Sequence, residues 1–184
     1  MIDLSKRIMQ DSITVHGREY RLKTDFRLWL SFRRLLKEKP ALTDFDYLYE
    51  FDGINPVAPS DRQGGIQEMM KFYNPKQLLP RDTRGGSEDV VDFTQDSDLI
   101  FAAFMECYGI NLLKADMHWH EFLALFRGLH GTKLNEVMGY RGFDENDKTG
   151  YTECMKELRK AWALEAELTE KEKDDLKEFN EAFG

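Results

Sequence analysis

His118-Trp119-His120 is the densest group of chemistry-bearing side chains in the chain, with two of its four histidines inside three residues. On a helix, positions i and i+2 point about 200° apart, so these imidazoles cannot share a metal ion. Asp116 and His120 stand at i and i+4 and could share one, but a metal site needs three or four ligands, and neither His16 nor His130 has an implied proximity. The spacing predicts polar and packing roles, and so few histidines leave no evident acid or base. Asp144 to Gly150, DENDKTG, invites comparison with a calcium loop. With Gly150 at the sixth position, Lys156 falls at the twelfth, where a bidentate glutamate should close the coordination sphere. A lysine there repels the ion. Gly64-Gly65 and Gly85-Gly86 lack the spacing and the strand-turn-helix context of a phosphate cradle. Cys107 and Cys154 form neither a CxxC pair nor a four-ligand pattern, so free thiols in a reducing compartment are expected. No residue is nominated as catalytic, cofactor-binding or metal-binding; the chain reads as non-enzymatic, with no cofactor.

The elements that would position these residues are mostly helical. Ile13, Val15, Tyr20 and Leu22 alternate with polar residues around His16-Gly17, which predicts a small hairpin over residues 12–23. Thr24 can cap a helix running to Lys39, with Phe26, Trp29, Leu30, Phe32, Leu35 and Leu36 apolar and Pro40 as its stop. Thr43 to Glu50 reads as a short helix with Phe45, Leu48 and Tyr49 inward, before a loop marked by Pro56 and Pro59. Ser60 with Gln63 has capping-box spacing ahead of Ile66, Met69, Met70 and Tyr73. Residues 74–90, rich in proline, glycine and charge, predict a flexible loop. Thr94 can open a helix that Gly109 ends, and Asp116 another that runs to Arg127. Leu134, Val137 and Met138 suggest a short helix before Gly139. From Tyr151, Met155, Leu158 and Trp162 recur at helical spacing, and Thr169 with Glu172 offers a capping box before Leu176, Phe179 and Phe183, so 151–184 reads as a C-terminal helical segment. The fold class expected is mainly α: a single compact helical domain over 1–184, of about six to eight helices with a small N-terminal β-hairpin.

Composition narrows the function. The 184 residues are 41% hydrophobic and 33% charged, enough apolar material for a sizeable core. Thirty-four acidic against 26 basic residues give a formal charge of -8, so no broad basic surface is available for a phosphate backbone, and nucleic acid is not an expected partner. Arg81 and Arg84 are compensated by Asp82, Glu88, Asp89 and Asp92. Met1 to Ser12 lacks the apolar run of a signal peptide, and the stretch from Leu99 to Tyr108 is too short to span a bilayer and contains Glu106, so no membrane is expected either.

Two stretches match a family pattern. GREYRLKTDFRLWLSF, Gly17 to Phe32, is the first. VDFTQDSDLIFAAFMECYGINLLKADMHWHEFLALFRGL, Val91 to Leu129, followed by VMGYR from Val137 to Arg141, is the second. In order and spacing the chain resembles the bacteriophage gene product 15 family, small proteins of siphophages and prophages. The family commonly has a second aromatic residue after His-Trp, where this chain has His120. The resemblance implies a tail assembly chaperone that binds the tape measure protein in the host bacterial cytoplasm before the tail tube polymerises. The chaperone itself and the tail tube protein are further partners in that picture, and a structural minor tail component is the alternative. Such a role calls for apolar faces left over after folding, and the residues nominated for protein interaction are Met69, Met70, Trp119, Met138, Met155, Trp162, Phe179 and Phe183.

Overall fold

The alternation around His16-Gly17 does produce a hairpin: β1 (Ser12–Val15) pairs antiparallel with β2 (Arg18–Arg21), Ile13 opposite Tyr20. His16 and Gly17 both take positive φ, 50° and 78°, as a tight two-residue turn between right-twisted strands requires. The computed structural model describes residues 2–38, 40–75, 90–143 and 152–165. The remaining elements among the described residues are helical: α1 (Phe26–Leu36), a 3-10 helix (Leu42–Leu48), α2 (Arg62–Tyr73), α3 (Ser97–Tyr108), α4 (Trp119–Gly128), α5 (Lys133–Arg141) and α6 (Thr152–Ala161). The fold is mainly α with a small N-terminal hairpin, as the periodicity predicts. The predicted 74–90 loop lies outside the described residues except at 74, 75 and 90, as do the calcium-like loop at 144–150 and the capping box at Thr169.

The chain forms two compact units. One comprises Met1–Asp82 and Leu112–Gly128, the other Thr83–Asn111 and Leu129–Gly184.

In the first unit an aromatic core runs through α1, α2 and α4. Trp29 and Phe72 meet at 4.6 Å between ring centroids and Phe26 stacks on Phe122 at 4.9 Å, geometries that add to the burial of their large apolar surfaces. Trp29 donates its indole N–H to the Lys23 carbonyl at 3.0 Å, so burial leaves that donor satisfied. Arg27 fastens the returning segment to α1, its guanidinium donating to the carbonyls of Leu112 and Ala115 at 2.7 and 2.9 Å.

The second unit is organised by one buried ion pair. Asp96 precedes α3 and Arg141 ends α5; the guanidinium grips both carboxylate oxygens at 2.6 and 2.9 Å, and both side chains are buried. Arg141 also donates to the carbonyls of Val90 and Trp162, which ties the chain before α3 and after α6 to the same side chain. Gly109, at φ 66°, ends α3 in the left-handed conformation expected of it.

Several boundaries differ from the sequence reading. Asp25, not Thr24, caps α1, because its carboxylate reaches the Arg27 N–H at 2.9 Å while the Thr24 carbonyl is taken by the Trp119 N–H. The helix ends at Leu36 rather than Lys39. Asp61, not Ser60, caps α2 by accepting from the Gly64 N–H. Ahead of α3, Asp92 accepts from the N–H groups of Thr94 and Gln95, so the helix starts at Ser97 instead of Thr94. Residues before Trp119 pair with the segment before α1, Phe26 donating to the Met117 carbonyl, and α4 therefore begins later than Asp116. Gly139 does not stop α5, which runs on to Arg141.

Candidate interaction surface

The His-Trp-His motif is the natural first place to look for a site, and its polar atoms turn out to be spent on the backbone. An α-helix leaves its last carbonyls without intrahelical donors. At the end of α2 these are met from α4: Trp119 Nε1 donates to the Tyr73 carbonyl at 2.9 Å, and His120 Nε2 to the Phe72 carbonyl at 2.8 Å. His118 caps α4 itself, its Nδ1 accepting from the His120 N–H at 3.0 Å, which leaves Nε2 to donate to the Gln10 carbonyl at 2.9 Å. Burial pushes both imidazoles below the ordinary histidine range, His120 to about 4, so both are neutral near pH 7. Asp116 is not drawn into a shared ligand set with His120, and no group of three or more His, Cys, Asp and Glu side chains among the described residues is arranged to hold a metal ion.

The predicted interaction residues separate by burial. Met69 is 0% and Trp119 1% exposed, so both belong to the core of the first unit rather than to a free face, a correction to the sequence reading. Amphipathic periodicity marks a face that must be covered, and the first unit supplies that cover itself: Trp119 stacks on Tyr73 and Phe122, at 5.1 and 5.7 Å between ring centroids. Met70, one position on, is 41% exposed. Met138, Met155 and Trp162 are half-buried in the second unit, where Lys133 Nζ sits 5.5 Å from the Trp162 ring centroid. Phe179 and Phe183 lie outside the described residues.

Exposed apolar side chains gather elsewhere. Of the eleven large hydrophobic residues exposed among the described residues, ten lie in the first unit and Met105 alone in the second. The best-defined group is a short hairpin at Glu50–Val57. Phe51 bridges Pro56, the Val57 N–H donates to the Glu50 carbonyl at 2.8 Å, and the Asp52 N–H donates to the Asn55 carbonyl at 3.1 Å. The turn is locked by the Asp52 carboxylate, which accepts from the N–H groups of Asn55 and Ile54; those bonds hold its pKa below the usual value. Gly53 supplies the φ of 124° that an L side chain rarely adopts. This rigid turn carries Ile54, 86% exposed, at its tip. Lys23 Nζ stands 3.7 Å from the Phe51 ring centroid, a cation over an aromatic face. The sequence did carry a signal for this feature: in Asp52-Gly53-Ile54-Asn55 a β-branched apolar residue occupies a turn whose chemistry asks for a polar one.

Such a surface offers exposed apolar contact, with Lys23 over Phe51 and the carboxylates of Glu50 and Asp52 on the same hairpin, and is suited to binding. The family model described as Bacteriophage Gp15 protein matches residues 4–166. The chain belongs to that family. No curated protein and no solved structure matches it. A Gp15 family protein is a phage structural or assembly protein, and the family is not known as enzymatic. No helix among the described residues of this Gp15 protein is long and apolar enough to cross a membrane.

Proposed function

We propose that this Gp15 family protein is a non-enzymatic tail assembly chaperone, which covers helical segments of the tape measure protein in the host cytoplasm until the tail tube polymerises around them. The observation that supports this reading is the concentration of exposed apolar side chains on one unit, with Ile54 held out on a locked turn. A long helical cargo displays amphipathic stripes before assembly, and those stripes associate wrongly unless covered. Exposed aliphatic residues, with the adaptable thioether of Met70, provide the cover. A preformed turn binds without first being ordered, which lowers the entropic cost of each contact. Interfaces of about 800 Å² per partner span micromolar to picomolar affinity, and release during tube growth favours the weaker end.

Co-expression with the tape measure protein tests the proposal: the soluble yield of the cargo rises and the two proteins co-purify. No rise and no co-purification would remove the basis for it. Mass spectrometry of purified virions distinguishes the alternative, since a chaperone is absent from the finished particle whereas a structural minor tail component is retained.

A further inference from the structure

Three segments of the first unit meet at His118: the chain before β1, the end of α2 and the start of α4. Hydrogen bonds fix the tautomer of its ring. The His120 N–H can donate but not accept, so Nδ1, 3.0 Å away, must be the unprotonated nitrogen. The Gln10 carbonyl can accept but not donate, so Nε2, 2.9 Å away, carries the proton. The neutral ring with its proton on Nε2 satisfies both contacts, and neither the other tautomer nor the imidazolium does. A second proton would sit on Nδ1, aimed at the His120 N–H, and would place a positive charge at the end of α4 where the helix dipole is already positive. Nε2 would remain a donor to Gln10. Protonation thus breaks one contact and spares the other. The turn that loses its cap is the one that joins α4 to α2, through Trp119 Nε1 on the Tyr73 carbonyl and His120 Nε2 on the Phe72 carbonyl.

We infer that His118 is an acid-sensitive latch: as the neutral ring it holds the first turn of α4 closed on the end of α2, and on gaining a proton it lets that turn open while keeping its grip on Gln10. The groups facing the ring set where this happens. The chain before β1 brings the Asp11 carboxylate and the charge of the amino terminus, and α4 brings the Glu121 carboxylate and the His120 ring, 5.0 Å away between centroids. From α2 comes the Phe72 ring at 5.9 Å, and from the segment before α1 comes Asp25, which bridges His118 through the backbone and commits its carboxylate to Arg27. Arg127 adds a positive charge on the His120 side. Asp11 and Glu121 favour the imidazolium; burial, the largest influence, and the amino terminus oppose it, so the latch opens below the ordinary histidine range. It operates whatever the cargo, because every group involved belongs to this chain.

Nuclear magnetic resonance of the full-length protein between pH 7.5 and pH 5 tests the latch. At pH 7.5 the ring nitrogens of His118 show the Nε2–H tautomer, and on acidification the His120 amide shifts with the same midpoint as the His118 ring. His118→Asn keeps an N-cap acceptor but removes the titrating group. Wild type and variant therefore protect the His120 amide equally against hydrogen exchange at pH 7.5, and at pH 5 the wild type protects it about tenfold less. Resonances of Leu125 and Phe126, further along α4, stay native in both, because the opening is local. An Nδ1–H tautomer at pH 7.5 overturns the inference, and so does a His120 amide that ignores the His118 titration; both are read on the wild type alone, even if the variant fails to fold. Equal protection in wild type and variant at pH 5, or loss of the native Leu125 and Phe126 signals together with that of His120, overturns it as well.

Discussion

Burial of His118 and His120 makes the first unit sensitive to acid. In the unfolded chain each imidazole binds a proton near pH 6.5, whereas in the folded chain both are pushed lower, His120 to about 4. The unfolded state therefore takes up protons first, so this contribution to stability is fully present above about pH 6.5 and is lost as pH falls toward 4. His120 alone accounts for about 2 kcal/mol of loss by pH 5, which a lowered urea midpoint between pH 7.5 and pH 5 would register. A midpoint unchanged over that range contradicts the geometry. His120→Phe removes the His120 share of this pH dependence but deprives the Phe72 carbonyl of its donor, at a cost of about 1–3 kcal/mol at pH 7.5. In the second unit, Arg141→Ala leaves the Asp96 carboxylate buried without its guanidinium and strips donors from Val90 and Trp162. The expected loss is about 3–5 kcal/mol, read from a denaturant melt.

At the scale of elements, the hairpin and the helices are legible because apolar periodicity reports directly on which face needs cover. The caps are less so. Thr24, Ser60 and Thr94 are good capping types, yet Asp25 and Asp61 take the role one residue later and Asp92 holds the turn before α3, because a neighbouring aspartate carboxylate reaches the backbone N–H groups two or three residues on. The same limit applies to the surface. Periodicity singles out Met69 and Trp119 as apolar-face residues but does not say whether the cover comes from this chain or from a partner, while Ile54 has no periodic context and only its odd turn chemistry marks it. Glycines sharpen the point. Gly65 lies in the first turn of α2, where a Cβ would strike Tyr49 Oη and stand 2.9 Å from Pro59 Cγ; Gly139 in α5 has open space. Gly139→Ala should therefore stabilise by about 0.5–1 kcal/mol. Gly65→Ala should destabilise by about 1–3 kcal/mol despite the same gain in helix propensity. Thermal melts of the pair decide this, and equal signs would contradict the close approach.

For the whole molecule, the two units differ in kind: one carries nearly all the exposed apolar side chains among the described residues, the other most of the negative charge. On the proposed chaperone reading, net negative charge opposes non-specific association between copies while the apolar unit engages cargo. Ile54→Glu should leave the melting temperature of the protein unchanged, because the side chain rests on no core. The most direct measurement of the central claim is the amount of soluble tape measure protein recovered with this protein on co-expression, wild type against Ile54→Glu. The wild type is predicted to carry the cargo into the soluble fraction and the folded variant to recover about tenfold less; equal recovery with both, or none with the wild type, would contradict the account.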